Sequence, residues 1–162
     1  MSRIAVRIAR VEDARGILEV HYSAVHEIAA GDYPLEVREA WSRPITPDRV
    51  DQYVKHALPN ETTVVAEADG RIAGFGVVVE PNNELRAVYV SAEFGRQGVG
   101  SAILRELERI AKEQGCRELH MDSSLTAAPF YMHHSYKEMG RGEHTLSGGA
   151  KMACVKMRKA LD

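Results

Sequence analysis

The sequence predicts a single-domain α/β fold: a mixed, mostly antiparallel twisted sheet of about seven strands with helices on both faces. Three observations lead there. Short β-branched runs bounded by Gly, Pro, Asn and Asp recur along the chain, and Asp69-Gly70 joins two of them with a strong hairpin signal. In the second half a strand, an amphipathic helix and a further strand follow in order, which a right-handed crossover resolves into two parallel neighbours. The length, 162 residues, suits one domain spanning 1–162. Such a domain buries about two-thirds of its unfolded surface without disulfides or metal.

Residues 3–9 (Arg-Ile-Ala-Val-Arg-Ile-Ala) are β-branched and free of breakers, the pattern of a first strand. Glu12 and Asp13 open a helix, acidic at its positive end, whose inner positions Ala14, Ile17, Leu18, Ala24, Val25 and Ile28 recur at three and four residues. Gly31 stops it. Pro34, Pro44, Pro47 and Pro59 then punctuate a helical elbow with short runs at Leu35–Trp41 and Pro47–Ala57, too apolar at Tyr33, Trp41 and Tyr53 for a disordered linker. Strands follow at Thr62–Ala68 and Arg71–Val79, and after the Pro81-Asn82-Asn83 turn at Leu85–Val90. The next helix carries Val99, Ile103, Leu104, Leu107, Ile110 and Ala111 inward and ends at Gly115. Glu118–Ser124 is a fifth strand, Ala128–His134 a short helix, and Tyr136–His144 with Met152–Arg158 a closing hairpin.

Composition narrows the function. The formal net charge of −2, from 21 Lys+Arg against 23 Asp+Glu, argues against nucleic-acid binding, which calls for a basic excess. No apolar run approaches the ~18 residues of a membrane span, and the opening Met-Ser-Arg-Ile-Ala-Val-Arg lacks a secretory pattern. A cytoplasmic location with no membrane partner is expected. Cys116 and Cys154 stand in unrelated surroundings, so no disulfide framework or zinc site is expected. The histidines carry no metal-ligand spacing: His21 and His26 are five apart and share no face of an α-helix, while His133 and His134 are placed to line an acceptor side.

The informative segment is Gly95-Arg96-Gln97-Gly98-Val99-Gly100-Ser101 after the strand ending Val88-Tyr89-Val90. Glycines at the mouth of a helix let backbone approach a ligand, and first-turn N–H groups without helical partners face an anion. The pattern reads as a pyrophosphate cradle, with a plain strand-to-helix turn as the other reading. A triphosphatase loop needs Gly-Lys-Ser/Thr, absent here, and a dinucleotide fingerprint wants a small residue where Ile103 stands.

Together with Ser124-Leu-Thr-Ala-Ala-Pro-Phe-Tyr131 and the closing Cys154-Val-Lys-Met-Arg-Lys, this segment resembles the GNAT superfamily of acetyl-CoA-dependent N-acetyltransferases over nearly the full chain. Gly95 stands where many members carry Arg or Gln, Thr126 where Asn is common, and Ser135-Tyr136 where Gly-Phe is common. The resemblance implies a central parallel strand pair that splays apart. Val88, Tyr89, Val90, Arg96, Gln97, Gly98, Val99, Gly100 and Ser101 would bind acetyl-CoA, with no metal. A homodimer paired through the last hairpin is also implied.

Acetyl transfer from a thioester to an amine needs a neutral amine, a donor for the developing oxyanion and an acid for the departing thiolate. By resemblance the donor is the Val90 N–H, the acid is Tyr131, and the base is Glu84, with Glu80 as second candidate or no dedicated base. Strand alternation puts Glu84, Arg86, Val88 and Val90 on one face, and pairing with Arg86 would make Glu84 a weaker base. Tyr33 and Trp41 of the elbow are the expected acceptor-binding residues, although anchoring the elbow is the other role for Trp41. Neither an acidic nor a basic cluster marks the acceptor. The expectation is an N-acetyltransferase moving an acetyl group to a primary amine through a ternary complex; the alternative is a non-catalytic acyl-CoA-binding regulatory module.

Overall fold

The protein is described by a computed structural model covering residues 3–162. Among these residues β1 (Ile4–Ile8), β2 (Thr62–Ala68), β3 (Arg71–Val79), β4 (Glu84–Val90), β5 (Glu118–Ser124), β6 (Lys137–Thr145) and β7 (Lys151–Ala160) form one sheet in the order β1-β2-β3-β4-β5-β7-β6. Every neighbouring pair is antiparallel except β4–β5, which is parallel, as the strand–helix–strand order requires. Asp69 (φ 54°) and Gly70 (φ 74°) both take the left-handed conformation, as a two-residue hairpin turn of the kind read from the sequence demands.

The helices are α1 (Ala14–Ser23), α2 (Leu35–Trp41), α3 (Pro47–Gln52), α4 (Val99–Glu113) and α5 (Ala128–His133). Two of them widen into π-helical turns, α1 at Ala24–Ile28 and α3 at Tyr53–Ala57. The first turn changes an expectation. An α-helix would separate His21 from His26, but widening from Ala24 lets both reach Ser42: His21 Nδ1 is 2.8 Å from its hydroxyl and His26 Nε2 2.7 Å from its carbonyl. Ser42 is wholly buried there, so the two histidines pin the elbow to the end of α1.

Helix α4 seats directly on the backbone of β3. A Cβ at Gly74 would lie 2.8 Å from the Tyr89 carbonyl and 2.9 Å from Ile103 Cδ1, and one at Gly76 would lie 2.6 Å from both Ile103 Cγ2 and Leu107 Cδ1. On this face Ile103, Leu104, Leu107 and Val99 form the main core with Val64, Val78 and Leu85. The opposite face is covered by Ile17 and Val20 of α1, packed on Val65, Phe75 and Val77. A smaller cluster of Ala29, Tyr33, Leu146 and Met152 holds the elbow to the β6–β7 end.

Two features of β4 determine the site. Val77 and Val78 of β3 pair with Ala87 and Leu85, so Arg86 is an extra residue in a β-bulge. Simple alternation therefore fails. Val88 and Val90 join Leu85 on the α4 face, whereas Ala87 and Tyr89 face the α1 side with Phe75. The second feature is divergence: β4 and β5 share a single paired position, Glu84 opposite His120, while β5 stays paired with β7 from Glu118 to Ser124. The Ser91 N–H bonds the Ala73 carbonyl on β3 at 2.9 Å, so the N–H and C=O of Val88 and Val90 point the other way, into the gap.

Gly74→Ala is expected to lower stability by about 1–3 kcal/mol by pushing α4 off the sheet, read as a fall of about 3–10 °C in Tm. An unchanged melting temperature would show that the helix tolerates the extra methyl.

Candidate active site

The donor end is built where β4 runs out under the start of α4. Gly98 caps the helix at φ 83°, a conformation that favours glycine, and no side chain satisfies the first-turn amides. The N–H groups of Val99, Gly100 and Ser101 thus face outward without intrahelical acceptors. Arg96 stands in the loop at φ 61°, exposed, and among the described residues no carboxylate pairs with it. Gly100 matters for contact: a Cβ would come within 3.2 Å of the Phe130 ring and 3.5 Å of Val90. Gly95 is different. Its φ is −64°, and nothing lies nearer its Cβ position than 3.4 Å, so a side chain fits there. An acidic, phosphate-bearing ligand with a slender arm fits this arrangement of uncapped amides, free guanidinium and open strand edge.

The gap between β4 and β5 is a slot of about 30 Å³ lined by residues 86–89 and 121–124, with Ala127 and Tyr131. Tyr131 is 2% exposed and shares the slot lining with Val88. Burial pushes its pKa well above the ordinary phenol value, so the hydroxyl keeps its proton. Tyr131 is carried by α5, which ends in a six-to-one and five-to-two pair of bonds, Tyr136 N–H to Tyr131 carbonyl and Ser135 N–H to Met132 carbonyl. That motif needs a left-handed residue, and Ser135 supplies it at φ 73° where glycine is usual. Ser101 Oγ and His134 Nε2, 2.9 Å apart, tie α4 to the end of α5.

Beyond the slot lies a cavity of about 580 Å³, the size of a small-molecule site. Its walls include Ile17, Leu18 and His21 of α1, Trp41, Arg49, Tyr53, Phe75, Val77, Tyr89 and the β6–β7 loop. Tyr89 stacks on Phe75 at 5.4 Å, meets His21 edge-on at 4.7 Å and accepts the Trp41 indole N–H at 3.2 Å. Burial pushes the Tyr89 hydroxyl up to about 12 and, with Arg49 and His26 nearby, holds His21 down to about 3. The aromatic wall is therefore neutral in the working pH range. Polar walls come from two ion-paired groups. Arg86 bridges Glu84 at 2.8 Å and Glu61 at 2.6 Å, and Asp122 pairs with Lys156 and His144, both at 3.1 Å.

The structure thus brings Glu84, Trp41 and Tyr89 to the cavity and Tyr131 to the slot, with residues 86, 87, 89, 122 and 124 bordering both spaces. Several expected residues sit elsewhere. Tyr33 does not line the cavity: it is 5% exposed, its hydroxyl donates to the Ala153 carbonyl at 2.5 Å and accepts the Leu125 N–H at 2.9 Å. The Tyr89 side chain faces the cavity and not the helix mouth, and the Val99 side chain is core, so only its backbone is open to a ligand. His134 bonds Ser101 at the start of α4 and does not border the cavity. Glu80 is bonded by Thr62 at 2.9 Å and does not border the cavity. Thr126 ties the approach to α5 to the elbow through Asp32 at 2.7 Å.

His21, Arg49, Tyr53 and Glu61 went unrecognised as cavity residues in the sequence. His21 had a readable signal, since it lies on the inner row of α1 with Ile17, Leu18, Ala24 and Val25.

Comparison with known proteins agrees with this architecture. Residues 22–136 match the acetyltransferase (GNAT) family. The chain belongs to that family. It is 27% identical over 144 residues to a spermidine N(1)-acetyltransferase of Thermoplasma acidophilum, covering 79% of this chain and 85% of the relative. A crystal structure of a GCN5-related N-acetyltransferase from Rhodopseudomonas palustris superposes with a TM-score of 0.89 at 27% identity, over 99% of this chain and 98% of that one. The fold is shared with PaiA N-acetyltransferase of T. acidophilum, a structure in complex with coenzyme A (TM-score 0.71, 22% identity, 98% and 99% coverage).

His21 gives the fold a pH dependence of known sign. Its folded value, about 3, lies below its ordinary 6.5, so the unfolded chain binds the extra proton between those values and stability rises with pH there. Acidification from pH 7 to 5 is expected to cost about 1–2 kcal/mol through this group. His21→Gln removes that part of the difference in urea midpoints between the two pH values; an identical difference in both proteins would contradict the assignment.

Proposed function

We propose that residues 1–162 act as an N-acetyltransferase domain that moves the acetyl group of acetyl-CoA to the primary amine of a small molecule, directly and within a ternary complex. The observation that carries this reading is the open edge of β4. Val88 and Val90 aim backbone groups that β3 does not pair into the gap beside β5, between the uncapped start of α4, which meets Val90 at Gly100, and a cavity of about 580 Å³.

Acetyl-CoA supplies the activated acetyl thioester. The amides at the start of α4, with Arg96, Gln97 and Ser101 around them, hold its pyrophosphate, and β4 holds the pantetheine arm as a substitute strand. The Val90 N–H is the donor for the developing oxyanion; a fixed donor of this kind contributes about 10²–10³ in rate. Glu84 takes the proton that makes the amine nucleophilic. It does so within a network in which one guanidinium serves two carboxylates, leaving one negative charge on the cavity wall. The amine nitrogen bonds to the acetyl carbon, the carbon–sulfur bond breaks, and Tyr131 gives its proton to the thiolate and recovers one from the amide nitrogen. One thiol and one proton are released per turnover.

Direct transfer is favoured over an acyl-enzyme because Cys154, which borders the cavity, is 2% exposed. Burial raises its thiol pKa, and a protonated thiol is a poor nucleophile.

Two measurements test the assignment. Calorimetric titration is expected to give micromolar acetyl-CoA binding, weakened at least about tenfold, or 1.4 kcal/mol, by Gly100→Leu, whose side chain meets Phe130; equal binding by this variant would remove the cradle. Tyr131→Phe is expected to lower kcat roughly 10²-fold with acetyl-CoA affinity within about threefold, and an unchanged kcat would take the acid role from Tyr131.

A further inference from the structure

Charges of both signs line the acceptor cavity. Glu61, only 11% exposed at its side chain, and Glu84 share the single guanidinium of Arg86. One carboxylate charge there is left without a cation. Asp122 contributes none, since Lys156 and His144 hold it. Arg49 lines the same cavity. The Thr46 hydroxyl caps its backbone N–H at 3.1 Å, fixing the side chain's root at the start of α3. Its guanidinium is half-buried against the cavity and donates to the Arg43 carbonyl, and among the described residues no carboxylate pairs with it. Its charged neighbour is Arg43, which adds to the positive potential, and burial with Arg43 disfavours its charge. One helical turn on, the Tyr53 hydroxyl is buried in the same wall beside Glu61 and Thr63 without a well-formed hydrogen bond. A desolvated guanidinium and an unspent hydroxyl on a cavity wall are stable once an anionic ligand completes them.

We propose that the acceptor is a zwitterion, an α-amino acid with an apolar side chain, whose carboxylate is held by Arg49 and whose amine is received on the Glu61–Glu84 side. The inference rests on the acetyltransferase reading above. The apolar side chain has Phe75, Val77 and Trp41 to pack against. A polyamine fits less well, because its second ammonium would be desolvated beside Arg49 with no carboxylate to spare.

The experiment measures thiol release from acetyl-CoA by the purified protein with L-phenylalanine and L-leucine, their amides, phenethylamine and spermidine. The amino acids are expected to exceed their amides in kcat/KM by about 10–100-fold, the range of a charge-assisted hydrogen bond. In Arg49→Gln that ratio is expected to collapse to within about threefold through KM, and Arg49→Lys to keep part of it. Amides or spermidine outrunning the amino acids, or an unchanged ratio in Arg49→Gln, would overturn the proposal while leaving the acetyltransferase reading intact. Absence of thiol release with every amine, in protein that binds acetyl-CoA, would overturn both. Should the Arg49 variants fail to fold, the wild-type comparison of acid with amide decides alone.

Discussion

Beyond Glu84, strand β4 is paired along one edge only, and the remainder of the molecule is arranged around its open edge. A buried strand with idle amides is costly, because each unpaired group forfeits the hydrogen bond it had in water. The cost persists because β5 is held elsewhere: seven positions pair it with β7, against one with β4. Tyr131, delivered by α5, partly fills the gap beside Val88. The Val90 amide is left for a ligand. Helix α4 ends over the same place because Gly74 and Gly76 let it lie on the β3 backbone, which brings its uncapped amides to the mouth of the gap.

The bulge at Arg86 divides the labour of β4. Below it the strand offers Glu84 and Arg86 to the acceptor cavity; above it Val88 and Val90 turn to the α4 core while Tyr89 joins the aromatic wall. On the proposed ternary complex, a one-residue insertion lets a single strand serve both ligands, whose reacting ends would meet at its open edge. Under the proposed direct transfer, this division brings donor and acceptor to the same stretch of strand.

Much of this was readable in advance. The strand–helix–strand order announced the parallel pair, Asp69-Gly70 the hairpin, and the Gly98–Gly100 segment the glycine-led start of α4, because each rests on local periodicity or backbone conformation. The acceptor cavity was not readable in the same way. Glu61 and Arg86 meet across 25 residues, and Arg49 is noteworthy for a guanidinium with no carboxylate beside it among the described residues. Neither property exists until the elbow closes on the sheet. Tyr33 misled because an elbow aromatic suits a substrate wall as well as a structural bolt; only its two hydrogen bonds, to the backbone of β7 and of Leu125 just after β5, decide for the bolt. The bulge and the π-helical turn at Ala24 leave no compositional trace, so the facing of Glu84 and of the His21–His26 pair was misread.

The most direct test of the open edge is amide hydrogen exchange on β4, followed residue by residue with and without coenzyme A. The account predicts that Ala87 and Tyr89, bonded to β3, are protected throughout, whereas Val90 exchanges fast in the free protein and slows by at least about tenfold once the ligand is bound. Equal protection of Val90 and Tyr89 in the free protein would mean that the edge is already paired, and the donor slot would lose its physical basis.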